Sequence, residues 1–117
     1  VAIAASRKLP RAIRELLIDS RNDVFYSASS TWELAIKSAL GRADFRVDLT
    51  KLLQAVVDTG FVELPVTSVH AARVATLPDL HPDSFDRLLV AQALTEPAIL
   101  LTNDARLGPS GANVRVF

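Results

Sequence analysis

Glu33, Asp86 and Asp104 are far apart in the chain, yet each stands where a β-rich run meets a helix. Asp104 leaves the apolar run Ala98-Ile99-Leu100-Leu101-Thr102. Asp86 lies in the first turn of the helical stretch before that run. Glu33 lies in the first turn of the helix that follows Val24-Phe25-Tyr26-Ser27-Ala28. In an open α/β sheet, ligands gather beyond the carboxyl ends of the strands, and an antiparallel crossover helix begins at that same edge. Three carboxylates therefore converge on one rim. Gathering like charges costs stability unless a cation bridges them. A hard divalent ion such as Mg²⁺ takes oxygen ligands, keeps some waters and shares phosphate oxygens with a substrate.

Each acid also has an ordinary reading. Ser30-Thr31-Trp32-Glu33 has capping-box spacing, and Lys37 stands four residues on for a surface pair. Asp86 follows Asp83 by three residues and suits a positive helix end. Asp104 in Thr-Asn-Asp suits a turn. Among the remaining polar residues, Arg87 is placed to bind phosphate or to pair with an acid. His81 reads as a loop residue and His70 as helix surface. Asp79 and Asp83 read as caps, and Trp32 as packed in or near the rim, without a stacking role. Ser27, Ser29 and Ser30 have no nearby His partner, so a Ser-His-Asp arrangement has little support. There is no Gly-rich phosphate loop.

The elements that must position these residues alternate. Pro10 suits a helix start, with Ile13, Leu16 and Leu17 on one face and an end at 20–23. A strand over 24–28 leads into a helix from Ser30 to about Leu40, stopped by Gly41. Asp48 caps a helix whose face is Leu49, Leu52, Leu53, Val56 and Val57, with Gly60 beyond. Phe61-Val62-Glu63-Leu64 is a short strand closed by Pro65. Thr67 caps a helix to about Thr76, and a two-proline loop follows to Pro82. Asp83 or Ser84 caps a helix to about Thr95. After the strand 98–102, Gly108-Pro109 and Gly111 break the chain before a last strand from Val114 to Phe117. The expected fold is a three-layer α/β/α sandwich with a central, mainly parallel sheet.

The 117 residues suit one domain over 1–117, and half of them are apolar, a globular balance. Thirteen basic residues offset thirteen acidic ones, so bulk charge does not mark a nucleic-acid binder, although a local basic groove is compatible. Ten of the cations are Arg, which suits phosphate contacts but is also what base composition alone could produce, given 17 Ala. The absence of Cys excludes disulfides, thiolate catalysis and Cys-type zinc sites. Two His exclude a His-rich centre, so any metal is held by oxygen. No apolar run approaches a membrane span and no signal peptide is visible, so a cytoplasmic location without membrane contact is expected.

Four runs together resemble the PIN-domain toxins of the VapC type. They are Ser27-Ala28-Ser29-Ser30-Thr31-Trp32-Glu33-Leu34-Ala35-Ile36-Lys37, then Phe61-Val62-Glu63-Leu64-Pro65 with His70-Ala71, then His81-Pro82-Asp83-Ser84-Phe85-Asp86-Arg87-Leu88-Leu89-Val90-Ala91-Gln92-Ala93, and Leu100-Leu101-Thr102-Asn103-Asp104. The third is the most specific, and together they cover nearly the whole chain in the family's order. The resemblance implies a PIN-like fold and a Mg²⁺- or Mn²⁺-dependent endoribonuclease, the toxin of a toxin–antitoxin pair that cuts structured RNA such as tRNA or rRNA. Glu33, Asp86 and Asp104 match the family's acidic metal-site residues, and Thr102 a nearby hydroxyl. Arg87 often follows the acid there.

There are two departures. Ser84 stands where the family usually has Pro. The family also opens with a central strand ending in an acidic ligand, and Val1 to Ala5 match the helix that follows it, so a first strand is expected upstream of Val1. Lys37 and Arg106, with Arg87, are the cations expected to support RNA. A cognate antitoxin and a homodimer are expected partners. Two rivals stand beside the nuclease: a non-catalytic PIN-like module that binds RNA or protein, favoured by the missing acid, and a phosphatase or phospho-receiver.

Overall fold

A computed structural model describes residues 9–41, 48–78, 83–111 and 113–117. The readings of Val1 to Ala5, Asp79 and His81 lie outside the described residues. The elements run α1 (Arg11–Ile18), β1 (Phe25–Ser27), α2 (Ala28–Ala39), α3 (Leu49–Asp58), β2 (Val62–Leu64), α4 (Ser68–Arg73), α5 (Ser84–Thr95), β3 (Leu100–Thr102) and β4 (Val114–Val116). Short 3-10 segments, Val74–Thr76 and Ala105–Ser110, extend α4 and join β3 to β4. The alternation of strands and helices is that of an α/β PIN-like fold.

The boundaries of α3 and the start of α5 have local causes. The Asp48 carboxylate accepts from Lys51 N–H at 3.2 Å and starts α3. Asp83 accepts from Phe85 and Asp86 N–H and starts α5. These bonds satisfy amides that have no partner inside a helix. Gly60 follows α3 at φ +91°, a left-handed backbone that a side chain adopts only at a cost. It turns the chain directly into β2. Of the face expected on α3, Val56 is buried, Leu49, Leu52 and Leu53 are half-buried, and Val57 is exposed.

The strands form two parallel pairs. β1 lies beside β2 with Tyr26 opposite Glu63, and β3 beside β4 with Leu101 opposite Arg115. A central, mainly parallel sheet was the expectation, and both pairs are parallel. Among the described residues β1 and β3 are not bonded to each other. Both line an apolar cavity of about 460 Å³, together with Leu16 and Leu17 of α1 and Leu89, Gln92 and Ala93 of α5. The core is built on α5. Leu89, Val90 and Ala93 are buried against Leu100 and Leu107, with Leu77, Leu94 and Val114 around them. Five consecutive residues of α5, Leu89 to Ala93, are buried. This is why its sequence reads as a nearly continuous apolar run rather than a one-sided stripe.

Candidate active site

Glu33, Asp86 and Asp104 line one cleft of about 310 Å³. α2 contributes Ser30, Thr31, Glu33, Leu34 and Lys37. The start of α5 contributes Asp83 and Asp86. The end of β3 contributes Thr102, followed by Asn103, Asp104 and Arg106. Tyr26, Leu89, Leu100 and Leu107 supply apolar wall, and all four are buried. Four carboxylates thus face two cations beside a low-dielectric wall, where charge interactions are stronger than in water.

Glu33 is not a capping residue. α2 starts a turn earlier than its sequence suggests, because Ser27 is the N-cap and its hydroxyl accepts from Ser29 N–H at 3.0 Å. The first turn of α2 carries no acid, and Glu33 falls in the second turn. Its carboxylate lies 3.7 Å from Lys37 Nζ. Asp86 does sit in the first turn of α5, as the helix-end reading requires.

Asp104 is held from three directions. Its amide donates to Thr102 Oγ1 at 3.1 Å, and its carboxylate accepts from the amide and the guanidinium of Arg106, the latter through two nitrogens at 3.0 and 2.8 Å. Those bonds hold the Arg106 guanidinium above its usual range, and the charges of Asp104, Asp86 and Asp83 add to the effect. One cation therefore feels three of the cleft's carboxylates.

Arg87 points elsewhere. Its guanidinium donates to the carbonyls of Pro78 at 2.9 Å and Val74 at 3.2 Å, which ties the loop after α4 to α5. Thr102, Lys37 and Arg106 lie with the acids, and Arg87 is not in the cleft wall.

Two expectations need correction. His70 is not on the helix surface: its side chain is 1% exposed. Nδ1 accepts from Thr67 N–H at 3.0 Å while the Thr67 hydroxyl accepts from His70 N–H, so the histidine completes a capping box. That leaves the proton on Nε2, which donates to Glu96 at 2.6 Å. Trp32 is not packed away but 60% exposed, because the early start of α2 turns Thr31 and Glu33, rather than Trp32, into the cleft.

Sequence reasoning missed Gln92, which is 2% exposed. Its Oε1 accepts from the Ser27 hydroxyl at 2.5 Å, and its Nε2 donates to the Pro65 carbonyl at 3.3 Å beside His70 Nδ1. It ties the start of the helix that carries Glu33 to the helix that carries Asp86. A lone amide within Leu-Leu-Val-Ala-Gln-Ala was the available signal, since a buried polar group needs partners.

The donor set suits Mg²⁺ or Mn²⁺, being carboxylate and hydroxyl oxygen without sulfur. Among the described residues no three acidic or histidine side chains stand close enough to hold one ion. The cleft gathers such ligands without closing a site around them. The larger cavity between β1 and β3 is mostly apolar and has no comparable cluster of acids.

An α/β protein with an acidic cleft at the ends of its strands belongs to a class that includes many phosphate-handling proteins. The PIN domain family matches residues 1–108, and the chain belongs to that family. The PIN domain is generally a nuclease module, which gives the chain a coarse nuclease role. No curated protein and no solved structure is similar enough to match.

Proposed function

We propose that the chain is a metal-dependent endoribonuclease of the VapC type, the toxin of a toxin–antitoxin pair, which hydrolyses structured RNA such as tRNA or rRNA. The observation that carries this reading is the shared cleft of Glu33, Asp86 and Asp104 in a PIN-domain chain. Mg²⁺ is commonly held by one or two carboxylates, waters and substrate phosphate rather than by a protein cage, so the spacing of the acids is compatible with it. When bound, the metal supplies an activated water and neutralises charge on the phosphate.

The chain's own residues do the rest. Glu33, Asp86 and Asp104 present negative charge to hold the metal over the cleft. Lys37 and Arg106 sit beside them, where they draw in and orient the RNA backbone. Thr102 fixes the Asp104 backbone through its hydroxyl. Arg87 supports the site by holding the loop after α4 to α5. The proposed partners are RNA, a cognate antitoxin covering the cleft and a second copy of the chain, in the cytoplasm. Among the described residues, no helix is long and apolar enough to cross a membrane.

The test is cleavage of end-labelled structured RNA with Mn²⁺ and with EDTA. Cutting with Mn²⁺ that stops in EDTA is the expected result. RNA binding without cutting, in either condition, would overturn the nuclease reading in favour of a PIN-like binding module.

A further inference from the structure

We propose that Trp32 is a stacking platform for an unpaired nucleobase next to the acidic cleft, so that the substrate is RNA with a splayed base beside the scissile phosphate. This rests on the nuclease reading. Trp32 is the largest side chain of the molecule and is 60% exposed. An indole is expensive to leave in water, burying 150–250 Å² when covered. It is also held in place. Its ring meets Phe85 in an edge arrangement, with centroids 5.0 Å apart and planes at 71°. An aromatic already fixed by a neighbour loses little freedom when a ligand covers it.

Position says what the ligand is. Trp32 precedes Glu33 on α2, and Phe85 precedes Asp86 on α5. The aromatic pair thus bridges the two helices that carry cleft carboxylates. Thr31, Glu33 and Lys37 on the same helix line the cleft itself. A polynucleotide whose phosphates meet Lys37 and Arg106 carries its bases beside that backbone, and Trp32 stands next to Glu33 on the helix that supplies Lys37. Unpaired bases stack on aromatic side chains without regard to sequence, and duplex RNA offers no free base face. Ile36 and Leu40 continue the exposed apolar face along α2. A protein helix lying there is the competing occupant, and the experiment below separates the two.

Trp32 is the sole tryptophan, so the intrinsic emission of the chain reports on this position alone. The protein is titrated, with Ca²⁺ to screen the carboxylates, with three probes. These are a short single-stranded oligoadenylate, the same strand with abasic residues and a blunt RNA duplex. Binding is followed separately by anisotropy of labelled RNA. The single strand is expected to quench the emission saturably, and the other two are not. Trp32→Leu is expected to weaken single-strand binding about 5- to 150-fold, from the usual range for base–aromatic stacking, and duplex binding less than about twofold. Trp32→Phe restores most of the affinity, which excludes misfolding as the cause.

Single-strand binding without quenching, or with unchanged affinity in Trp32→Leu, overturns the platform and leaves the nuclease reading in place. Equal quenching by the duplex also overturns it. No RNA binding in the anisotropy arm removes both. Emission that changes with protein concentration alone, with self-association lost in Trp32→Leu, assigns the residue to a protein contact instead.

Discussion

Asp86→Asn and Asp104→Asn are each expected to reduce RNA cleavage on the order of 100- to 1,000-fold, the usual cost of removing one positioned charge from a phosphoryl or oxyanion site. Asparagine keeps the shape and one acceptor oxygen and removes only the negative charge. The structure explains why the fold should survive. The cap of α5 is Asp83, not Asp86. The charge of Asp86 near the positive helix end is worth about 0.3–1 kcal/mol. At Asp104 the carboxamide oxygen can still accept from the Arg106 amide. The lost ion pair has an exposed guanidinium, and pairs of that kind contribute little to stability. Initial rates with Mn²⁺ and urea unfolding on the same preparations check both halves. Full activity in both variants would sink the assignment of these acids to the site.

That contrast between Asp83 and Asp86 was legible in the sequence, because caps are local. So were Asp48 and Thr67, the strands near Tyr26 and Leu101, and the arrival of Glu33, Asp86 and Asp104 at one cleft. Strand direction and helix starts determine that convergence, and both leave periodic traces in the chain.

What was not legible depended on distant partners. Ser27, Ser29 and Ser30 are all capable caps, and spacing from Glu33 selects Ser30. The fold selects Ser27, whose hydroxyl also donates to Gln92, 65 residues away. One turn of helix was at stake, and with it the directions of Trp32 and Glu33. His70 reads as surface because its neighbours Ala71, Ala72 and Arg73 are exposed, and only the approach of Glu96 and Gln92 buries it.

Gln92→Leu is expected to destabilise the protein by about 2–3 kcal/mol, a shift on the order of 10 °C in melting temperature. Leucine fills a similar volume and gains from apolar burial. It leaves the Ser27 hydroxyl without its acceptor and the Pro65 carbonyl without the amide that reaches it. Each such orphan costs about 1–3 kcal/mol, and the apolar gain offsets only part of that. The damage should also reach the site, because Ser27 caps the helix that carries Glu33. Cleavage by the folded fraction should therefore fall, whereas a core substitution such as Val90→Ala should lower stability alone.

A double-mutant cycle with Ser27→Ala isolates the link. Two residues bonded across 65 positions should couple by about 0.5–3 kcal/mol. Additivity within about 0.5 kcal/mol would mean that Gln92 is held by Pro65 and His70 instead, and that the start of α2 is fixed by its own backbone. A measured coupling would make the Ser27–Gln92 bond the joint that sets the distance between Glu33 and Asp86. It would also explain why a polar side chain is kept in the most buried stretch of α5.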